Sequence, residues 1–580
     1  MRSDVSQVSK FRRFKSFLKN DAGSITQMLG LSAIPLFLAL GAAVDTVRLN
    51  REQTAFMAAV DSAVLGIAAD DRSAISSQTT TQQAASIATL TQVAKDYINA
   101  SYKPSAGTTN DIAVNLSITN QAIVLTATHA VPTAIMQLVG AGTTTLTTTS
   151  EVKKAMRPVE LTLVMDTTGS MATNSKIAGA KTAAKSLLNT LYGGTLAQAP
   201  QSEFIRVSLV PFAAAVRLDQ NAYDFDLGWI DTTGANPLSK LNFNDSNWNN
   251  YMAWSQLKPG GVTGVWNGCV EARSLTAGLT QSDTAPTGGD TLFPAYFNPD
   301  TPTKPKPSDP TQGQTLQYGT DYITGYYSGS GGYTAAGENH GLTAAQASNF
   351  TDAGRLYVQE NQAKYVNKTI GVENTTNYGP WDGCAVSKMV PMTYDRTKLE
   401  AGIDAMTADG NTLIAEGMAW GWRSISPSEP FTKVEGTATI AASTISVYDD
   451  VRWRKVMVLM TDGDNELSAG SYGFNGGVYS AYGRTRENMT YNRVGTTVDS
   501  SVMGALDTAM LNVCTSIKSK NIELYVTSFG TGVSTATKSR LESCATKPAN
   551  YANSTTATDL QVFFDHIGQD VINKSVYVSK

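Results

Sequence analysis

The stretch V-E-L-T-L-V-M-D-T-T-G-S-M, residues 159–171, decides the fold. Its opening is rich in Val, Leu and Thr, as a buried strand would be, and it runs straight into a loop carrying one carboxylate and several hydroxyls: Asp166, Thr167, Thr168 and Ser170, with Gly169 among them. A helix follows. In an open α/β sheet ligands collect at the carboxyl ends of the strands, so Asp166, Thr168 and Ser170, alternating along the loop, can converge their oxygens on one point. All three are hard donors of the kind Mg²⁺ prefers, with no soft Cys or His among them. The competing reading is a plain turn before an N-capped helix.

Two later segments add matching groups. Asp409-Gly410-Asn411-Thr412 precedes a helical run over 413–424, and a strand over 455–460 ends in Thr461-Asp462-Gly463. The three loops together supply Asp166, Thr168, Ser170, Thr412 and Asp462. In this set the sequence resembles the von Willebrand factor A domain, whose metal-ion-dependent adhesion site is written Asp-x-Ser-x-Ser, then a distant Thr, then a distant Asp. Thr168 stands where that pattern has its first Ser, which keeps the hydroxyl and adds a methyl.

With 580 residues the chain has room for more than one domain, and 42% hydrophobic residues can supply a sizeable core. A net charge of −4 with no basic stripe beyond the first twenty residues argues against nucleic-acid binding. Residues 1–22 carry Arg2, Lys10, Arg12, Arg13, Lys15 and Lys19, whereas nothing from Ala22 to Val44 is charged. Such a run crosses a bilayer core of about 30 Å as a helix, and its basic flank predicts a cytoplasmic amino terminus with everything after Asp45 outside. Pro35 should kink that helix. A cleaved signal peptide, with Ala39-Leu40-Gly41 as a weak site, is the alternative. Against cleavage, Val44, Val47, Leu49, Phe56, Ala59, Val60, Ala63, Val64 and Ile67 continue at helical spacing beyond the apolar run.

A second helix over 81–102 leads to strands over 111–118, 121–129 and 143–152, with a short helix at 132–138 between the last two. The long helix followed by a small sheet, with D-A-G-S-I-T at 21–26, Val44-Asp45 and A-A-V-D-S-A-V-L-G at 58–66, resembles the TadE/TadG-like proteins of the Flp (tight-adherence) pilus. Related pseudopilins are processed after a Gly with a Glu several residues on. Gly23 is followed by Gln27 and Met28 instead, so the expectation is an uncleaved, permanent anchor. The TadG members of that family join such an anchor to a von Willebrand A domain.

Beyond the opening strand, a helix is predicted over 176–192 and a strand over 205–212. From about Val216 to Thr393 the composition then turns to Gly, Asn, Thr, Tyr and Trp, with a Pro-rich run at 299–310 and a Gly-rich run at 325–332, too long for a simple connection. Order resumes with helices over 394–406 and 502–518, a strand over 522–529 and a last helix over 559–572. The long polar loops at 217–393 and 464–500 should rim the metal site. The pattern W-x-G-C occurs at Trp266–Cys269 and again at Trp381–Cys384. Four cysteines on an exported chain suggest two disulfides. Of three possible pairings, Cys269 with Cys384 and Cys514 with Cys544 is the expected one. Free buried thiols are the alternative, and the scattered histidines His129, His340 and His566 argue against zinc.

The expected architecture is α/β, a doubly wound, mostly parallel sheet with a large insertion, preceded by a transmembrane helix and a pilin-like α+β stalk. The domains would be a basic tail at 1–22, a transmembrane helix at 23–45, a stalk at 46–157 and a von Willebrand A domain at 158–580 containing an inserted module at 217–393. The resemblance implies a non-enzymatic role in the bacterial inner membrane. A divalent cation, Mg²⁺ foremost with Mn²⁺ or Ca²⁺ as alternatives, would capture an acidic side chain of a pilus or secretion component. In that family Ser170 and Thr168 would coordinate directly, Thr412 directly or through water, and Asp166 and Asp462 would hold the hydroxyls and waters. Two other functions compete. Trp229, Trp248, Trp254, Trp266 and Trp381 could form stacking platforms for a surface glycan. D-T-T-G-S also looks like the aspartyl-phosphate loop of haloacid-dehalogenase-type phosphotransferases, with Asp166 as nucleophile, Thr168 positioning, and Asp462 with Asp464 on Mg²⁺.

Overall fold

The computed structural model describes residues 21–580 apart from 71–79, 105–110, 119–121, 141, 157, 301–304, 307–308, 314–321, 324–358, 374–378, 468–478, 485–490, 497–498, 574–575 and 580. The tail at 1–20, the Gly-rich run 325–332 and His340 thus lie outside the described residues. The chain divides into two compact units, Met1–Met156 with Val576–Lys580, and Arg157–Ser575.

In the first unit helix α1 spans Asp21–Ala68 and continues through Pro35, about 72 Å at 1.5 Å per residue. Its portion from Met28 onward is long and apolar enough to cross a membrane, and Met28, Leu31, Ile34 and Phe37 stand exposed on it. Further along the same helix becomes one-sided. Phe56, Ala59, Val60, Ala63, Val64 and Ile67, three and four apart, are buried against Leu90, Ala94 and Ile98 of α2 (Thr80–Ser101). The same core takes in alternate residues Ile123, Leu125 and Ala127 of an antiparallel sheet formed by β1 (Ile112–Ile118), β2 (Ala122–Pro132) and β3 (Thr143–Met156). His129 belongs to this core, packed against Phe56 and Tyr102.

The second unit is built on six strands. In chain order they are β4 (Val159–Asp166), β5 (Ile205–Phe212), β6 (Val390–Thr393), β7 (Arg454–Thr461), β8 (Glu523–Phe529) and β9 (Tyr551–Ser554). The spatial order is β6-β5-β4-β7-β8-β9. Every neighbouring pair is parallel except β5 with β6. Helices α3 (Lys176–Tyr192), α4 (Arg396–Ala405), α5 (Ile414–Arg423), α6 (Asp499–Ser519), α7 (Thr535–Cys544) and α8 (Ala557–Asn573) connect or flank the strands. Unit 2 is therefore mixed α/β with a largely parallel sheet.

All residues of β4, β5 and β7 are buried, so neither face of the central sheet meets water. Val164, Val210, Phe212, Met457 and Leu459 share one cluster with Ile414 and Met418 of α5 and Met510 and Val513 of α6. Helix α5 lies close to the sheet because it has glycines at contact. A Cβ on Gly417 would stand 2.4 Å from Phe212 Cγ, and one on Gly421 2.4 Å from Val164 Cγ2. Glu160 is buried at the start of β4, where Arg206 Nη1 approaches at 2.7 Å and Lys455 Nζ at 2.5 Å. That ion cluster sits at the end of the strands opposite Asp166.

The described residues of 217–393 fold as turns, short strands, 3-10 helices and one seven-residue helix, Asn250–Gln256, and end in β6; their aromatic residues join the same cluster as the sheet. Trp229, Trp254, Trp266 and Trp381 are each 5% exposed or less, and Trp248 packs partly buried against them. This corrects the glycan-platform expectation: the rings are spent on packing, and stacking on a sugar needs a free face. Cys269 and Cys384 are bonded, as are Cys514 and Cys544, the second pair tying α6 to α7. After α8 the chain returns to the first unit as β10 (Val576–Ser579), antiparallel to β3 with Val576 opposite Met156.

Candidate metal-binding site

Strand β4 delivers Asp166 to the carboxyl edge of the sheet, and parallel β7 delivers Thr461 and Asp462 to the same edge. The third segment is stitched between them. Gly169 N donates to Gly410 O at 2.9 Å, Asp409 N to Thr167 O at 2.8 Å, and Leu413 N to Ala213 O at 3.2 Å. Gly410 takes a φ of +80°, the left-handed turn that this close crossing requires.

The oxygens meet there. Ser170 Oγ donates to Asp462 Oδ1 at 2.5 Å, and the Thr168 and Ser170 hydroxyls are 3.1 Å apart. Thr412 Oγ1 and Ser170 Oγ lie 3.5 and 3.8 Å from where a Cβ on Gly463 would be, so Thr412 faces the same spot as Ser170. All five residues singled out in the sequence thus stand together.

Asp166 is fully buried. Its Oδ1 accepts from Thr168 N at 2.8 Å, and its Oδ2 from the Thr461 hydroxyl at 2.7 Å and from Asp462 N at 3.4 Å. Burial first, and then the neighbouring Asp462 charge, push its carboxyl from 3.8 up to about 6, against the pull of those hydrogen bonds. Two carboxylates held together out of water, with three hydroxyls beside them, make a donor set suited to a small hard cation. Among the described residues no three His, Cys, Asp or Glu side chains gather as a metal group, so the hydroxyls are essential to any such fit.

Sequence reasoning missed two members. Thr461 has no role in the sequence pattern beyond standing between the strand at 455–460 and Asp462, yet its hydroxyl fixes Asp166. Lys176, the first residue of α3, reaches Asp462 Oδ2 at 2.6 Å with 13% of its side chain exposed. The chain arrives at it through Asn174 and Ser175, both left-handed at φ +52° and +55°. Nothing in a spacing of ten residues from Asp166 marks that lysine in advance. Residues from the two long loops border the site: Glu466 N donates to Thr412 O at 2.8 Å, and Gly383 O lies 3.8 Å from where a Cβ on Gly410 would be.

Comparison with known families adds one deciding match, over residues 23–71, to the Flp pilus-assembly TadE/G-like family. The chain carries a TadE/G-like segment. It coincides with most of α1, from the start of the apolar run to just past the helix end at Ala68. No curated protein matches the chain. Beyond the TadE/G-like segment, solved structures with likeness include the pilus adhesin SpaC of Lactobacillus rhamnosus GG, at 11% identity and a TM-score of 0.30, covering 80% of this chain and 34% of that one. The chain therefore spans about a third of the SpaC length. The vWF domain of the type V pili tip protein Mfa5 from Porphyromonas gingivalis matches at 10% identity and a TM-score of 0.28, over 73% of this chain and 98% of that one. Proximal thread matrix protein 1 of the mussel byssus, with a zinc-occupied MIDAS motif, matches at 11% identity and a TM-score of 0.18, over 71% and 96%.

Proposed function

We propose that this chain is a membrane-anchored, metal-dependent binding component of a Flp/Tad pilus assembly or adhesion system. In this reading residues 23–45 of α1 span the bacterial inner membrane with the amino terminus cytoplasmic, and the rest lies in the periplasm or cell envelope. Residues 46–157 form a pilin-like stalk. Residues 158–575 form a doubly wound von Willebrand A domain with 217–393 inserted, the expected 158–580 being shortened because β10 belongs to the small sheet. The observation that carries the reading is the meeting of Asp166, Thr168, Ser170, Thr412 and Asp462, from three segments far apart in sequence, at the carboxyl edge of a parallel sheet.

A divalent cation held there, Mg²⁺ before Mn²⁺ or Ca²⁺, would keep a coordination position for a carboxylate supplied by a protein partner. Ser170, Thr168 and Thr412 would contribute hydroxyl oxygens. Asp462 orients Ser170 through their hydrogen bond, and Asp166 orients the Thr168 backbone and Thr461. No bond need be made or broken. As a phosphotransferase nucleophile Asp166 is poorly suited, because it is fully buried with both oxygens already bonded.

The test is Mg²⁺ and Mn²⁺ titration of the purified full chain by calorimetry, beside Asp166→Ala and Ser170→Ala, with phosphatase turnover assayed in parallel. Saturable binding that Asp166→Ala abolishes and Ser170→Ala weakens, without turnover, supports an adhesion-type site. Equal binding by all three proteins overturns the assignment, and turnover dependent on Asp166 transfers the chain to the phosphotransferases.

A further inference from the structure

The loop between β2 and β3 presses on the anchor helix around residues 41–45. A Cβ on Gly41 would stand 2.3 Å from Ile135 Cγ2, so the loop lies directly against the helix backbone there. One turn further on, Asp45 is buried and its carboxylate accepts the amides of Ala134 at 2.9 Å, Ile135 at 2.9 Å and Met136 at 2.8 Å. These contacts pin the short helix Met136–Val139 beside residues 41–45 of α1.

That level has a meaning if α1 spans the bilayer as proposed above, on which this inference rests. From Ala22, where charge disappears, to Gly41 is about 30 Å of helix, the thickness of a hydrocarbon core. The loop therefore stands where the helix leaves the lipid on the outer side. Its chemistry fits that layer. Leu138 is 80% exposed, as open as the large apolar side chains described on the anchor itself, of which Leu31 at 76% is the most exposed. No residue from Ala130 to Ser150 is charged. One exposed leucine needs no explanation. An exposed leucine on a charge-free loop clamped to the outer end of an apolar helix does.

We propose that the Met136–Val139 turn is a second membrane contact, with Leu138 inserted among the outer-leaflet acyl chains. A lone helix can rotate and tilt in a bilayer, whereas flanking anchors set its tilt and rotation. The turn supplies such an anchor from outside the helix, so the small sheet is held at fixed depth.

Nitroxide labelling tests this in the full chain reconstituted in lipid vesicles. The four native cysteines are paired, so Leu138→Cys provides a single reactive thiol. Leu36→Cys reports on the span, and Ser62→Cys, about 31 Å beyond Gly41 along α1, reports on water. Collision rates with oxygen, which concentrates in lipid, and with a water-soluble nickel chelate are compared at each site. The expected result is an oxygen-to-nickel ratio at Leu138 severalfold above that at Ser62 and approaching that at Leu36. If Leu36 is shielded from nickel while Leu138 matches Ser62, the second contact is refuted and the span stands. If Leu36 is also open to nickel, the membrane reading of α1 falls and this inference with it.

Discussion

Replacing Asp166 by Asn should stabilise the metal-free protein while removing its response to Mg²⁺. At pH 7.5 the carboxylate is ionised, yet burial and Asp462 hold its carboxyl near 6 rather than 3.8. A shift of that size corresponds to a cost on the order of 3 kcal/mol in the folded state. Asn removes the charge and can still accept the Thr168 amide through Oδ1. Its amino group would instead meet Asp462 N–H, which approaches Oδ2 at 3.4 Å in the native protein, and losing that contact costs about 1 kcal/mol. The net expectation in EDTA is a gain of about 2 kcal/mol. Wild type should recover the difference with metal, since ligand at a hundred times its dissociation constant adds about 2.7 kcal/mol. Denaturant titration followed by tryptophan fluorescence suits the measurement, because all eight tryptophans lie within Arg157–Ser575. A variant less stable than wild type in EDTA would refute the electrostatic reasoning. A variant that gains as much from Mg²⁺ as wild type would refute the site.

Three further outcomes are expected. Lys176→Met frees Asp462 Oδ2 from its ammonium partner, so the Mg²⁺ dissociation constant measured by calorimetry should fall about tenfold, well within what unit charges about 4 Å apart exchange; an unchanged constant would mean that the lysine does not compete with the cation. Removing Cys269–Cys384, which closes 115 residues, should cost about 5 kcal/mol, and removing Cys514–Cys544, which closes 30, about 4 kcal/mol, read as shifts in denaturant midpoint for the double Ala variants. Burial, opposed by the Gly379 amide and reinforced by Asp409 and Glu373, pushes Asp382 up to about 7. Its folded pKa is raised, so that contribution to stability is present at low pH and lost as pH rises through 7; Asp382→Asn should lose less stability than wild type between pH 5 and 8, and superimposable profiles would contradict this.

Much of the second unit was legible because its central strands are buried on both faces and so read as unbroken apolar runs ending in polar loops. Residues 205–212 and 176–192 fold as the element expected at those positions. Four of the site's five oxygen donors, Asp166, Thr168, Ser170 and Asp462, follow directly where such a run stops, whereas Thr412 stands just before α5. Other elements left weaker marks. Strand β6 is four residues long and contains Pro391, so it read as the tail of the insertion. Helix α7 buries only Thr537, Leu541 and Cys544, too few to give an apolar period. The tryptophans of 217–393 suggested a binding surface because composition cannot tell a packed ring from a presented one. Lys176 was invisible because its partner Asp462 is 286 residues away.

Besides the covalent link that runs from Met156 into Arg157, the larger unit is joined to the small sheet by the four residues of β10, which pair with β3 through backbone hydrogen bonds. Met156 and Val576, its flanking residues, are register partners in a single small sheet. Force reaching β10 from the larger unit would cross to β3 through those hydrogen bonds as shear along the strands instead of peeling one from the other. A cut at residues 574–575 would leave the covalent link through residue 157 intact, whereas a cut at 157 would leave the larger unit joined to the small sheet by that four-residue pairing.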